Sequence, residues 1–450
     1  MTEMNDKPRV LLLAYYFPPD SSSGALRPLF FANHLQEMGV QVTVLTACEN
    51  DFLPEQPTDN ELSSRVHKDV KVIRAKVRRP REFVLSFRDK WREKKKNWEA
   101  DNQIKNDVSS NQSSEKTSFG QNVKDLITDL LASPDPHVGW IWDAVRQGKE
   151  IVKKDKSTVI LATGSPWSCL IAGVLLRRSK KIPLVLDFRD PWVANPGFIQ
   201  RGRVAAFLEK LMERYVIART DVIIANTQEL RKNFLQRFSF LRSENVHALS
   251  NGFEDYLPAD SPMNTCFTLV HAGALYFSRT PVPLLEALYD LLLEEKIPDN
   301  RIRVVLVGGI SVADEKMQTL LLTTQLKKTV QIIPRLPYND AMEYQLNADA
   351  LLLVQPGFPL QVPRKLYEYM AMRRPVLALT EEDGATARIV RECRMGKVVG
   401  NNAKAIKPVL LEMYKAWEDN PENILSSSPV SKYKNNKLTE KLFKILSDYV

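Results

Sequence analysis

Short, β-branched apolar runs alternate with longer stretches of helical periodicity through most of this 450-residue chain, and few folds accept that order. The candidate strands of the first half are Val10–Tyr16, Val42–Thr46, Val70–Val77, Thr158–Thr163, Pro183–Phe188 and Asp221–Asn226. Those of the second half are Phe267–Ala272, Val304–Val307, Val330–Ile333, Ala350–Val354 and Pro375–Leu379. Apolar runs of this length without alternation suit strands buried on both faces, as in parallel sheets. Two sets of strands separated by a break predict two doubly wound α/β units. The break falls near residues 252–264, where Gly252, Pro258, Pro262 and Asn264 interrupt the pattern. The expected domains are therefore 1–257, carrying a basic and polar insertion over 78–150, and 262–429. A final amphipathic helix over 430–450, with Leu438, Leu442, Ile445, Leu446 and Tyr449 at helical spacing, packs back on the first domain.

Composition excludes several classes. With 44% apolar and 26% charged residues, the chain is neither collagen-like, wholly disordered nor a disulfide scaffold. Cys48, Cys169, Cys266 and Cys393 are scattered, without CxxC or a histidine at ligand spacing, so they read as reduced thiols and no metal site is expected. The N-terminal apolar run Val10–Phe17 is too short to span a bilayer and ends at Pro18-Pro19. The expectation is a cytoplasmic protein without a membrane span. The net charge of +9 is local: residues 65–98 hold 14 Lys/Arg against four acids, and the remainder sums to −1. Residues 99–118 have almost nothing to bury and read as a disordered insertion.

Four segments carry chemistry. Pro18 to Arg27 (PPDSSSGALR) joins a buried strand to a helix that has Pro28 in its first turn and Gly39 as its stop. Backbone N–H groups of such a loop, with the Arg27 cation, suit an anion, although a plain strand-to-helix turn looks the same. Neither GxGxxG nor GxxxxGK[ST] is present. Thr163-Gly164-Ser165-Pro166-Trp167-Ser168 and Asp187-Phe188-Arg189-Asp190-Pro191-Trp192 close two neighbouring strands, where ligand loops lie in open α/β sheets. The second of these is also open to a structural reading: Arg189 paired with Asp187 or Asp190, and Trp192 as core. In the second half, Val270 to Arg279 (VHAGALYFSR) offers Gly273 for close backbone approach and Arg279 for bidentate phosphate contact. His271 alone is more often a satisfied core histidine than an acid or base. Val304–Val307 runs likewise into Gly308-Gly309. Finally, Pro363 starts a helix in VPRKLYEYMAMRRPVLA, with Lys365 and Glu368 on one face and Leu366, Tyr369 and Met370 on the packing side. A helix start with a lysine favours phosphate, and a carboxylate one turn on can accept from sugar hydroxyls. Lys365–Glu368 could equally be an exposed ion pair worth ~0.3 kcal/mol.

Taken in this order, the loop YYFPPDSSSGALRP, the segment LDFRDPW and the stretch KLYEYMAMRRPVLAL resemble the retaining glycosyltransferases of family 4, in particular bacterial enzymes of surface-polysaccharide assembly. The resemblance implies an α/β GT-B fold, two Rossmann-like doubly wound domains facing across a cleft, and transfer of a sugar from a UDP- or GDP-linked donor with retention. It implies that Glu368 holds the donor ribose hydroxyls and that Lys365 and Arg279 bind the diphosphate and assist catalysis. Gly273, Gly309 and Gly24 allow backbone approach, Leu366 adds a donor contact, and Arg27 lies near the donor phosphate or acceptor. Asp190, Ser165, Trp167 and Trp192 line the acceptor side, Asp190 among the catalytic groups. Three positions depart from the family pattern. Leu360 stands where the first glutamate of Glu-x7-Glu falls, Ala274 follows Gly273 in place of a cation, and residues 163–169 contain no histidine.

No metal or cofactor is needed if cations neutralise the leaving diphosphate, and the resemblance implies that this diphosphate itself takes the acceptor proton. Competing readings are a degenerate nucleotide-sugar-binding scaffold, a sugar-nucleotide epimerase and a phosphorylase. Nucleic acid is not an expected partner, since no recognition signature or wide basic face accompanies the charge. The basic stretch instead places Phe83, Phe87, Trp91 and Trp98 at helical spacing among cations. Over 81–98 this suits an anionic membrane surface, at ~1 kcal/mol per cation, and so a lipid-linked glycan acceptor at the inner membrane face. A solvated lid helix packing the same aromatics on the first domain is the alternative.

Overall fold

The computed structural model describes residues 8–78, 133–154, 158–180, 182–196, 203–254, 264–275, 278–309, 315–421 and 430–449. The basic aromatic stretch 81–98 and the polar stretch 99–118 lie outside them. The chain divides into two compact units. One comprises Met1–Ile224, Phe238–His247 and Phe443–Val450, and the other Ala225–Arg237 and Ala248–Leu442.

The first sheet contains β1 (Arg9–Leu13), β2 (Gln41–Ala47), β3 (Lys71–Ala75), β4 (Thr158–Gly164), β5 (Leu184–Phe188), β6 (Val222–Ala225) and β7 (Val246–Ala248). Its order is β3-β2-β1-β4-β5-β6-β7. The pairings from β3 through to β5 are parallel, with Leu12 of β1 set between Val44 and Leu161. Every residue of β4 and β5 is buried, as expected for strands covered on both faces. The connecting helices are α1 (Leu26–Glu37), α2 (Asn60–Ser64), α3 (Ile141–Lys154), α4 (Ser168–Lys180), α5 (Arg203–Ile217) and α6 (Gln228–Arg237).

The second sheet contains β8 (Phe267–Ala272), β9 (Ile302–Val307), β10 (Val330–Ile333), β11 (Ala350–Val354), β12 (Val376–Leu379) and β13 (Gly396–Val399), in the order β10-β9-β8-β11-β12-β13. Its helices are α7 (Val282–Leu293), α8 (Glu315–Leu321), α9 (Thr324–Thr329), α10 (Tyr338–Leu346), α11 (Arg364–Met372), α12 (Ala385–Glu392), α13 (Ala403–Asp419) and α14 (Asn435–Ser447). In both sheets the strand order switches sides beside the first strand, the topology of a dinucleotide-binding fold.

The period of two along each strand sorts its side chains into two cores. Leu269, Val304, Leu306, Leu352, Leu377 and Leu379 join α7 and α13 on one face. Their chain neighbours Val270, Val305, Val307, Leu351, Leu353 and Ala378 join α11 and α12 on the other. Each such valine or leucine withdrawn from water contributes about 1.5–3 kcal/mol.

All eleven expected strands are present, and two more complete the sheets: β7, three residues long, and β13, of which two residues are exposed. Leu438, Leu442 and Leu446 of α14 are buried as the periodicity requires. Cys169, Cys266 and Cys393 are buried and free, and Cys48 is half-buried. Among the described residues no helix is long and apolar enough to cross a membrane.

Candidate functional site

In the second unit, the chain leaving β8 turns at Gly273, whose N–H donates to Val307 O at 2.7 Å. Gly273 has a φ of +133° and Gly308 one of +127°, and a Cβ on Gly308 would meet Gly273 O at 2.6 Å. The two strand-end turns thus stack backbone on backbone, which only glycine permits here. Pro363, extended at φ −66°, starts α11, and Lys365 lies in its first turn. The Lys365 side chain folds over Gly273: a Cβ there would stand 1.8 Å from Nζ.

Lys365 Nζ lies 3.5 Å from His271 Nε2, and His271 Nδ1 lies 3.0 Å from Leu352 O. Burial pushes the lysine down to about 8, with Glu368 acting against that and Arg279 reinforcing it. Among the described residues no carboxylate comes within ion-pair distance of Nζ. Glu368 instead accepts from Arg364 Nη2 at 2.9 Å, one turn back on the same helix. The Lys365–Glu368 pair is therefore not formed, because the i,i+4 neighbour reaches the carboxylate first. Arg279 stacks its guanidinium 4.8 Å from the centre of the Phe358 ring. A helix start and a cation without a carboxylate partner form an arrangement that attracts an anion.

Leu366 is fully buried in the core, where its side chain packs. Gly309 is exposed, its carbonyl accepting from Leu275 N at 3.0 Å, and a Cβ there would meet nothing closer than 4.0 Å. Leu360 offers its carbonyl to Thr227 Oγ1 at 2.7 Å. Glu381, which the sequence reading did not single out, accepts from Gly357 N beside it. Its signal was an acid two positions after the buried strand β12.

In the first unit, Arg27 is buried at 6% exposure and donates through Nε and Nη2 to Asp187 at 3.0 and 2.8 Å. Thr163 Oγ1 donates to the same carboxylate at 2.7 Å. Asp187 is thus paired with Arg27 and not with Arg189, whose Nη1 and Nη2 donate to Gly24 O and Ser165 O. A Cβ on Gly24 would stand 2.7 Å from the Tyr16 ring. Ser165 and Asp190 are half-buried at the strand ends. Trp167 and Trp192 stack 5.2 Å apart, nearly parallel, at 2% and 0% exposure, so both support the loops from within the core.

A second group beside them escaped the sequence reading. Tyr16 Oη lies 3.0 Å from His137 Nε2. Asp135 accepts from His137 N at 2.9 Å, from Ser168 N at 2.8 Å and from Ser168 Oγ at 2.7 Å, which caps the start of α4. Burial, with Asp135 and Asp20 nearby, holds the Tyr16 hydroxyl above its usual range. Residues 133–140 precede α3 without any local motif, so only the fold brings them to β1.

Two family models match. Residues 112–255 match Glycosyltransferase Family 4, and residues 266–415 match Glycosyl transferases group 1. Comparison with curated protein sequences gives no match. Among solved structures, HepE of Anabaena in complex with UDP is 13% identical, with a TM-score of 0.61 over 98% of this chain and 100% of that one. Sucrose-phosphate synthase of Thermosynechococcus elongatus is 13% identical, with a TM-score of 0.60 over 98% and 99%. WaaG, a glycosyltransferase involved in lipopolysaccharide biosynthesis, is 14% identical, with a TM-score of 0.54 over 98% and 99%. With two parallel-sheet Rossmann-like units and both family models in sequence, the chain belongs to the GT-B glycosyltransferases of the family 4 and group 1 type.

Proposed function

We propose that this chain transfers a sugar from a UDP- or GDP-sugar to a lipid-linked glycan acceptor, with retention and without a metal or cofactor, in polysaccharide assembly. The observation that carries the reading is Lys365, a cation at the start of α11 that lies against Gly273 with no carboxylate partner among the described residues. A nucleotide diphosphate supplies the missing negative charge, with Arg279 and the helix start as further donors. Glu368 receives the ribose hydroxyls from its place one turn further along α11. Gly309 gives backbone N–H groups room to approach, and Gly273 gives the Lys365 side chain room to lie over its turn. The structures of HepE with UDP and with UDP-glucose support a nucleotide-sugar donor. The lipopolysaccharide roles of WaaG and of the galactosyltransferase WaaB support a glycolipid acceptor.

In the reaction, the bond from the sugar C1 to the departing phosphate oxygen breaks. A bond from C1 to an acceptor hydroxyl oxygen forms on the same face, and the acceptor proton passes to the departing diphosphate. Lys365 and Arg279 stabilise the charge that develops on that diphosphate. Asp190 and Ser165, on loops fixed by Arg189 in the first unit, hold the acceptor hydroxyls, with Trp167 and Trp192 supporting them. The stretch 81–98 brings the protein to the cytoplasmic face of an anionic membrane.

Nucleotide release from a panel of UDP- and GDP-sugars, with and without a chelator, tests the reading. Release of one nucleotide that persists in chelator, with a product anomer matching the donor by NMR, is the expected result. Nucleotide binding without release would place the chain among scaffolds.

A further inference from the structure

His271 is 2% exposed, and its two ring nitrogens meet opposite kinds of neighbour. Nδ1 lies 3.0 Å from Leu352 O, a carbonyl that can only accept, so Nδ1 carries the proton. Nε2 lies 3.5 Å from Lys365 Nζ, and an ammonium can only donate. A histidine satisfied simply as core would give both nitrogens to partners that leave its neighbours unaffected. Here the remaining lone pair is directed at the one lysine that lies over Gly273. Burial first, and then the Lys365 cation, push the imidazole down to about 3. Arg279 acts in the same sense, and the Leu352 and Gly273 carbonyls oppose it. The ring therefore stays neutral, and its acceptor nitrogen stays available, throughout the physiological range.

We infer that His271 is a positioning residue: a neutral, Nδ1-protonated acceptor that orients the Lys365 ammonium over the Gly273 turn. It acts through Lys365 and needs no contact with the nucleotide. Its consequence for function rests on the nucleotide-sugar reading above, whereas the contact itself does not. Without the acceptor, the buried ammonium loses one of its few compensating partners, and its proton is released at lower pH. A diphosphate held by that ammonium then dissociates at lower pH.

Two measurements separate the contact from its use. In protein labelled with 15N at the imidazole, only five histidines contribute, and His271→Phe identifies the signal of interest. The expected signal is a neutral ring with Nδ1–H and bare Nε2 between pH 5 and 8, whose Nε2 resonance moves in Lys365→Met. An Nε2–H tautomer, or an imidazolium at pH 7, overturns the inference.

The second measurement is calorimetric UDP and GDP affinity against pH. Wild type weakens above about pH 8, the value to which Lys365 is pushed. His271→Asn and His271→Phe place no acceptor near Nζ and weaken about one pH unit earlier, so affinity at pH 8 falls about fivefold. His271→Gln, which reaches the Nε2 position, keeps most of the wild-type profile. An equal loss at every pH in all three variants marks a merely structural histidine and overturns the inference. If neither nucleotide binds wild type while the nitrogen signals behave as stated, the donor reading fails and the His271–Lys365 contact stands.

Discussion

A Cβ on Gly273 would stand 1.8 Å from Lys365 Nζ and 2.4 Å from Cε, in a backbone with φ of +133°. Gly273→Ala must therefore displace the lysine as well as strain the turn, at a cost of order 1–3 kcal/mol. The expected outcome is a lower denaturation midpoint together with loss of nucleotide affinity; unchanged affinity would free Lys365 of its assigned role. Lys365 also leaves a mark on stability against pH. Unfolded, it holds its proton up to 10.5, whereas in the folded protein it releases it near 8. Between those values the unfolded state binds more protons, so stability rises with pH, by at most ~1.4 kcal/mol per unit. Lys365→Met, by urea titration at several pH values, should be more stable than wild type at pH 7 and show no rise across that window. The cation at the start of α11 was legible in the sequence because a proline and a lysine there mark a helix start. Its partner was not, because His271 lies 94 positions away and only the pairing of β8 with β11 brings it near.

Between elements, Arg27 of α1, Thr163 of β4 and Asp187 of β5 form one buried knot. Each partner satisfies a charge or lone pair that would otherwise stand unpaired in low dielectric, so removing one leaves the others exposed to the full desolvation cost. Arg27→Met should destabilise by about 3–5 kcal/mol, and Arg27→Met combined with Asp187→Leu should recover much of that loss. Additive losses in the double variant, measured by denaturant unfolding, would contradict this account. All three residues stood out in the sequence, but its structural reading offered Arg189 to Asp187 or to Asp190 and did not join Asp187 to Arg27, since local spacing cannot reveal a partner 160 positions away. The same limit applies to strands. Runs such as β4, β5, β8 and β11 stood out because burial on both faces removes polar residues from them, whereas β3 and β10, which carry exposed residues, stood out by their β-branched residues. β7, reading VHA, and β13, reading GKVV with its first two residues exposed, carry too little apolar signal to be recognised. They pair at the sheet ends, where one side of the ladder needs no covering.

At the scale of the whole molecule, the chain order does not follow the units: Ala225–Arg237 counts with the second, and Phe443–Val450 with the first. Within the second unit, Arg388 Nε donates to Glu229 at 2.7 Å and Thr227 Oγ1 to Leu360 O at 2.7 Å, which fixes that early segment there. The cores on the two faces of the second sheet draw on residues from Phe253 to Tyr433, none of them from the first unit. Each unit thus has its own apolar burial to lose, and unfolding of such a chain need not be two-state. Leu288 of α7 is fully buried in one of these cores. Leu288→Ala should cost about 2–5 kcal/mol, all of it in the second unit. UDP at a hundredfold its Kd should return about 2.7 kcal/mol to the same unit, because a ligand stabilises only what unfolds with its site. Calorimetry of the full chain should then show two transitions. The substitution should lower one of them, UDP should raise that same one, and the other should stay in place. Movement of both transitions together would mean that the interleaved segments couple the units into a single cooperative structure, and that the two cores do not unfold independently.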